Sequence, residues 1–319
     1  MGNGIMDVNN QTLKENICNM TLNAGFSRVR ILARFVFPEN STGALKVRYG
    51  SGSPSLLVAA LPYGNERNVG SKYAAAEEKE EKHEDIEEKY RAYIAPFAQR
   101  NYYKEAVKRL QKLSQTFRRL FGGTNFGCRS GYRIFCNSPI PEKPLALACG
   151  LGGAGRNSLV ITPEAGSLVI IAAMTLPFPL ESDPRYEPRA LRLCGTCGSC
   201  MEACPTHAIR QEGGIDRNKC IQWYASGNEA AVPQSIIEKW GQRLYGCTVC
   251  QDVCPHNKKP IKGTETGEGI LPAYVDARKI IAMTDEEIRS FFKGTVMGFS
   301  WLKPEHIRRS AGLALKESL

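Results

Sequence analysis

The chain has 319 residues, 42% of them hydrophobic and 23% charged, with a formal net charge of +10. That length suits about two domains, and the composition excludes a disordered chain, a collagen and a coiled-coil rod. The longest apolar stretch, Leu168 to Met174, falls far short of the ~20 residues of a membrane-spanning helix. The opening residues MGNGIMDVNN carry no basic stretch ahead of an apolar one, and Met6 stands where a myristoylation signal needs Ser or Thr, so a cytoplasmic protein is expected.

In chain order, Leu13 to Ala24 reads as an amphipathic helix leading into a strand over Arg28 to Phe35. Leu56 to Leu61 (LLVAAL) and Leu168 to Met174 read as buried strands. Helix and strand signals alternate, so residues 1–183 are expected to form an α/β or α+β domain.

Glu77 to Tyr90 holds eight acidic residues and three lysines, the pattern of a solvated helix or insert. Arg91 to Arg133 is the opposite, with ten basic residues and Glu105 as its one acid. Within it Tyr103, Ala106, Val107, Leu110, Leu113, Phe117 and Leu120 recur at helical spacing and predict a buried stripe. Arg100, Lys104, Lys108, Arg109, Lys112, Arg118 and Arg119 then fall on the exposed side. Such a face either contacts phosphates or is an ordinary solvated surface.

Gly150, Gly152 and Gly155 match G-x-G-x-x-G, but PEKPLALAC before them reads as a helix and SLVIT after them as a strand. A dinucleotide site needs the reverse order. The glycines predict instead a close backbone approach, to another segment or to a flat ligand. The Pro-rich stretch 177–188 reads as a linker. Thr284 and Glu287 form a capping box opening a helix through Phe292, and a last helix is expected from about Pro304 to Leu315.

Eight of the twelve cysteines lie between Cys194 and Cys254. Cys194, Cys197, Cys200 and Cys204, followed by Pro205, have the C-x2-C-x2-C-x3-C-P spacing of a bacterial ferredoxin, in which the fourth cysteine reaches a second cluster. Cys247, Cys250, Cys254 and Pro255 repeat it with one cysteine missing, and Cys220 lies between the two runs. Crossing then assigns Cys194, Cys197, Cys200 and Cys254 to one [4Fe-4S] cluster, and Cys204, Cys220, Cys247 and Cys250 to another. The competing reading, a pair of zinc sites, needs C-x2-C pairs separated by a longer loop and suits this run poorly. His207 and His256 follow cluster cysteines and either tune a cluster or lie on the module's surface. There is no H-E-x-x-H, G-x-S-x-G or P-loop, which removes support for hydrolase and NTPase chemistry.

CGTCGSCMEACPTHAI (194–209), Cys220 and GCTVCQDVCPHN (246–257) together resemble the epoxyqueuosine reductases. YIAPFAQRNYYKEAVKRLQKL (93–113), CNSPIPEKPLALACGLGGAGRNSL (136–159) and AMTDEEIRSFF (282–292) are similar to that family's basic helix, its D-S-A-P-x-x-E-[KR]…AGLGW-x-GKN segment and its C-terminal cover. The resemblance runs from about Leu56 to Leu315.

It implies an N-terminal cofactor-binding domain (1–183), a ferredoxin-like double [4Fe-4S] module (184–262) and a helical C-terminal cover (263–319). It also implies a cobalamin between the domain and the module, reduced through the clusters to strongly nucleophilic Co(I), and removal of the epoxide oxygen from a tRNA wobble nucleoside in queuosine biosynthesis. A flavodoxin or ferredoxin would be the electron donor. Residues from Glu142 to Asn157, including Gly150, Gly152 and Gly155, would line the cofactor pocket, with Tyr102 and Tyr103 on its wall and tRNA along the basic helix 100–119.

Several positions depart from the family pattern. The family's proton-donating aspartate falls on Cys136, its D-Y-H on Asn101-Tyr102-Tyr103, the Trp of AGLGW on Gly153 and the Trp of C-P-W-N on His256. Cys136 is accordingly either the proton donor or a small buried residue. Two alternatives remain open: a cobalamin and iron–sulfur paralogue with another substrate, and a non-catalytic two-cluster electron carrier.

Overall fold

The computed structural model describes residues 3–35, 53–63, 86–121, 131–183, 193–227, 231–258 and 271–316. Among these, the strands in chain order are β1 (Arg28–Phe35), β2 (Ser53–Pro62), β3 (Arg91–Ile94), β4 (Ile134–Phe135), β5 (Gly153–Ala154), β6 (Val160–Ile161), β7 (Val169–Leu176), β8 (Arg243–Tyr245) and β9 (Tyr274–Asp276). The chain divides into two compact units, one of residues 1–62, 102–154 and 159–193, the other of 63–101, 155–158 and 194–319.

The first unit is built on a four-stranded sheet in the order β1-β2-β7-β4. Every pairing in it is antiparallel, which makes this domain α+β rather than α/β. Leu56 to Leu61 of the central β2 are all fully buried, so both of its faces are covered, as a continuous apolar run requires. Leu56, Val58 and Ala60 share one apolar cluster with Phe135, Ile140, Leu145, Leu151 and Val160, the period-two pattern of a strand.

Helix Asn3–Asn23 begins earlier than expected and stops before Gly25, whose φ of +88° is open to glycine at little cost. It packs against β1 and against helix Tyr102–Phe121. On the latter, Ala106, Leu110, Leu113, Ser114 and Phe117 are buried, but Leu120 is 55% exposed because the buried stripe ends one turn earlier. Arg109 also leaves the expected free face. It is paired with Glu105 at 2.8 Å and donates to Ala24 O at 2.7 Å, tying the two helices together.

The expected linker 177–188 is in part a packed element. Phe178 and Leu180 are buried, Leu180 N donates to Ser55 Oγ, and Ile31 N donates to Asp183 Oδ2 at 2.6 Å. Its remainder, 184–188, and the acidic run up to Asp85 lie outside the described residues.

The second unit holds the sheet β8-β3-β9, in which β3 pairs with β8 in parallel and with β9 antiparallel. Strand β3 therefore goes with the cysteine-rich half, where a division at 183/184 would assign it to the first. Trp240 is fully buried, donates its indole N–H to Arg243 O at 2.7 Å, and packs with Ile221, Tyr224, Ile236 and Leu313. The capping box is present: Thr284 N donates to Glu287 Oε2 at 2.7 Å, and Glu287 N donates to Thr284 Oγ1 at 3.2 Å. Helix Pro304–Lys316 runs close to its expected span and packs on β8 and β3.

Candidate metal centre

Two short helices, Ser199–Glu202 and Val249–Asp252, pack against each other in the second unit and start the same local structure twice. After the first, Cys204 N donates to Met201 O at 3.3 Å, and Pro205 leads the chain away. After the second, Cys254 N donates to Gln251 O at 3.1 Å ahead of Pro255. The equal spacing of the cysteines thus becomes an equal backbone turn, because the proline after the last cysteine cannot continue a helix. Cys220 precedes helix Ile221–Ala225, whose Gln222 Oε1 accepts from Cys247 N at 3.0 Å.

The thiols sort by their electrostatic neighbours. Burial first, then the charges of Cys194, Cys254 and Cys197, push the Cys200 thiol up. Cys254 is raised by burial and, among its neighbouring charges, by Cys194 and Cys197. Cys220 is raised by burial, with Cys247 and Cys204 adding to it. Cys250 is raised by burial, then by Cys247, Cys220 and Cys200. Thiolates gathered in this way repel one another unless a cation is shared among them, which is the chemistry of an iron–sulfur donor set.

Donors already point at the sulfurs. Ala208 N donates to Cys204 Sγ at 3.3 Å, and Arg156 N donates to Cys194 Sγ at 3.4 Å. The Ser199 hydroxyl lies 3.5 Å from Cys197 Sγ, and the Thr206 hydroxyl 3.7 Å from Cys204 Sγ. Ser199, through its hydroxyl and then its amide, lowers the Cys197 pKa. These donors fit thiolates carrying a cluster. Among the described residues, no group of three or more His, Cys, Asp and Glu side chains is arranged around a single metal ion.

His207 is exposed at a φ of +49° and is a surface residue of the module; His256 sits partly buried in the turn Pro255–Asn257. Ser199, Thr206, Gln222 and Arg156 were not singled out from the sequence. Ser199 and Thr206 follow Cys197 and Cys204 at the same two-residue offset, which is the local signal that marks them. Arg156 has no such signal, because chain folding alone brings it to the Cys194 loop.

The remaining site candidates are dispersed in role. Gly150 has a φ of +71°, and a Cβ on Gly152 would stand 2.4 Å from Ile161 O, so the close approach at Gly152 is to the chain's own backbone. Glu142 opens helix Glu142–Ala148 and accepts from Ser138 N at 2.9 Å and Ser138 Oγ at 3.2 Å; burial raises its pKa. Asn157 is buried and donates to Cys250 O at 3.4 Å. Cys136 points its thiol at Ile171 O, 3.6 Å away. Burial, with the Glu142 charge adding to it, pushes that thiol up to about 12. Tyr102 and Tyr103 are half-buried at the start of their helix.

The family of 4Fe-4S double cluster binding domains matches residues 193–257, the segment carrying all eight of these cysteines. The epoxyqueuosine reductase of Aliivibrio fischeri is 35% identical over 177 residues, 55% of this chain and 45% of that protein. The epoxyqueuosine reductase of Xanthomonas campestris is 30% identical over 230 residues, 72% of this chain and 58% of that protein. The chain is homologous to the epoxyqueuosine reductases. It spans about half the length of the curated relatives it matches.

The fold agrees. The crystal structure of an epoxyqueuosine reductase with an epoxyqueuosine-modified tRNA-Tyr stem loop superposes with a TM-score of 0.74 at 22% identity, covering 97% of this chain and 82% of that one. The Streptococcus thermophilus epoxyqueuosine reductase gives 0.73 at 19% identity, covering 95% and 81%. No described helix of this chain is long and apolar enough to cross a membrane.

Proposed function

We propose that this chain is a cytoplasmic cobalamin-dependent iron–sulfur reductase of the epoxyqueuosine reductase type, which removes the epoxide oxygen from a tRNA wobble nucleoside. The observation that carries the reading is the eight-cysteine segment matched by the 4Fe-4S double cluster binding domains, on a fold like that of epoxyqueuosine reductases. Cys194, Cys197, Cys200 and Cys254 would hold one [4Fe-4S] cluster, and Cys204, Cys220, Cys247 and Cys250 the other. The clusters, when bound, supply one-electron transfer, and a flavodoxin or ferredoxin is the proposed donor.

Cobalamin, when bound, supplies the reducing metal for the epoxide, and its presence rests on the resemblance. At Gly152 the residues present do not open a cradle for it, because the space beside that glycine is filled by Ile161 O. The chain's own contribution is to orient and insulate. Ala208 and Arg156 amides direct N–H groups at cluster sulfurs, and Asn157 braces the Cys250 turn. Lys104, Lys108, Lys112, Arg118 and Arg119 are exposed along helix Tyr102–Phe121, a basic row suited to tRNA phosphates.

Cys136 favours a second reading with the same electron path and a different substrate. A thiol titrating near about 12 keeps its proton at neutral pH and surrenders it far less readily than a carboxylic acid.

Anaerobic purification with added cobalamin, followed by assay on epoxyqueuosine-containing tRNA, tests the proposal. Two clusters' worth of iron and sulfide, retained corrin absorbance and queuosine formation are expected. Iron and sulfide without corrin would leave a two-cluster electron carrier. Corrin retention with activity only in Cys136→Asp would mean another substrate.

A further inference from the structure

Arg156 is 6% exposed, although its guanidinium is permanently charged. Nη1 donates to Gln211 O and lies 3.8 Å from Met201 Sδ, and Nη2 donates to Gly195 O at 2.9 Å. Nε is buried and has no hydrogen-bond partner. No carboxylate among the described residues bonds to it; two carbonyls and a thioether surround the charge. A buried cation with only neutral partners is costly, by several kcal/mol in the general case, unless an anion stands close by.

The anion available is the thiolate set. The Arg156 amide already donates to Cys194 Sγ, its side chain grips the carbonyl of the next residue, Gly195, and it reaches Met201 beside Cys200. The backbone reinforces this placement, since Gly214 N donates to Arg156 O at 3.0 Å and locks the residue against the 210–214 turn.

We propose that Arg156 is a positioning residue for electron transfer: its buried guanidinium is the counter-charge of the cluster held by Cys194, Cys197, Cys200 and Cys254, and it raises that cluster's reduction potential. This rests on the two-cluster reading above. One electron from a low-potential donor enters, the donor is oxidised by one electron, no bond forms or breaks, and no proton moves. The thiolate-held group is anionic before that step and more so after it. A fixed positive charge in a low-dielectric setting therefore stabilises the reduced form more than the oxidised one. An electron shared between the two clusters is biased towards the Cys194 side.

The experiment is a redox titration with dithionite, followed by electron paramagnetic resonance, on the anaerobic cluster-loaded chain and on Arg156→Met, Arg156→Gln and Arg156→Lys. Iron and sulfide are measured on each sample. In the two neutral variants one of the two reduction steps is expected to move to lower potential while the other holds, and lysine should recover most of the shift. Loss of one cluster in both neutral variants with retention in the lysine variant would also support the counter-charge. Neutral variants with both clusters and unmoved potentials would overturn it. So would loss of a cluster in all three, which would make Arg156 a structural strut. Wild-type chain without two clusters' iron would instead overturn the reading on which the inference rests.

Discussion

Cys194 and Cys254 stand at opposite ends of the cysteine-rich segment, yet the charge of each helps to raise the Cys200 thiol, after burial. The crossed ligand assignment proposed above has a direct consequence. A Cys194→Ser/Cys254→Ser double variant should lose one cluster and keep about half its iron. Cys247→Ser/Cys254→Ser should disturb both. Iron and sulfide analysis with resonance spectra distinguishes the two; equal loss in both double variants would contradict the crossed assignment.

Gly152 and Gly195 offer a paired test of the loop backbones. A methyl group at Gly152 meets Ile161 O, which belongs to the backbone and cannot rotate away, so Gly152→Ala should cost about 1–3 kcal/mol. Gly195 has a φ of +50° with nothing within 4 Å of its would-be Cβ, so Gly195→Ala should cost about 1 kcal/mol through backbone strain alone. Denaturant unfolding measures both, and a larger loss at Gly195 would reverse the argument.

Trp240 anchors the core of the second unit through full burial and its bond to Arg243 O. Trp240→Ala should lower stability by about 3–5 kcal/mol, and Trp240→Phe, which keeps much of the volume but loses the N–H, should lower it less. A melting temperature unchanged by Trp240→Ala would remove this residue from the core.

The Cys136 thiol, raised to about 12 in the folded chain, ionises nearer its ordinary value once unfolded. The folded state then holds a proton that the unfolded state has lost, so this group's stabilisation is complete below about pH 8.5 and declines as pH rises towards 12. At pH 8, iodoacetamide should modify Cys136 in the folded protein roughly a thousandfold more slowly than a free thiol. Mass spectrometry of the labelled peptide reads the rate, and labelling as fast as glutathione would refute the raised pKa.

If the basic helix meets tRNA phosphates, Lys104→Ala/Lys108→Ala/Lys112→Ala should weaken tRNA binding and flatten the plot of log affinity against log salt by about two to three. An unchanged slope would leave these lysines as a solvated face.

Much of this was legible in the residues. The cysteine spacing carried the double [4Fe-4S] domain, because a short ligand loop encodes its geometry locally. LLVAAL announced a strand buried on both faces, and the Thr284–Glu287 pair announced its helix start. Leu120 was misplaced because periodicity marks a stripe and not where its cover ends. Arg109 looked like one more surface cation until folding brought Ala24 O within reach.

What short-range spacing encodes, the chain declared openly: ligand loops, caps and apolar runs, each fixed by residues within about a dozen positions of one another. Pairings between distant segments were settled in three dimensions. They include the antiparallel order of the first sheet, the placement of β3 in the cysteine-rich unit through its pairing with β8 and β9, and the burial of Arg156 beside Cys194. The reason is that such contacts depend on which surfaces exclude water together, and that choice is made by the whole packed core and not by any window of sequence.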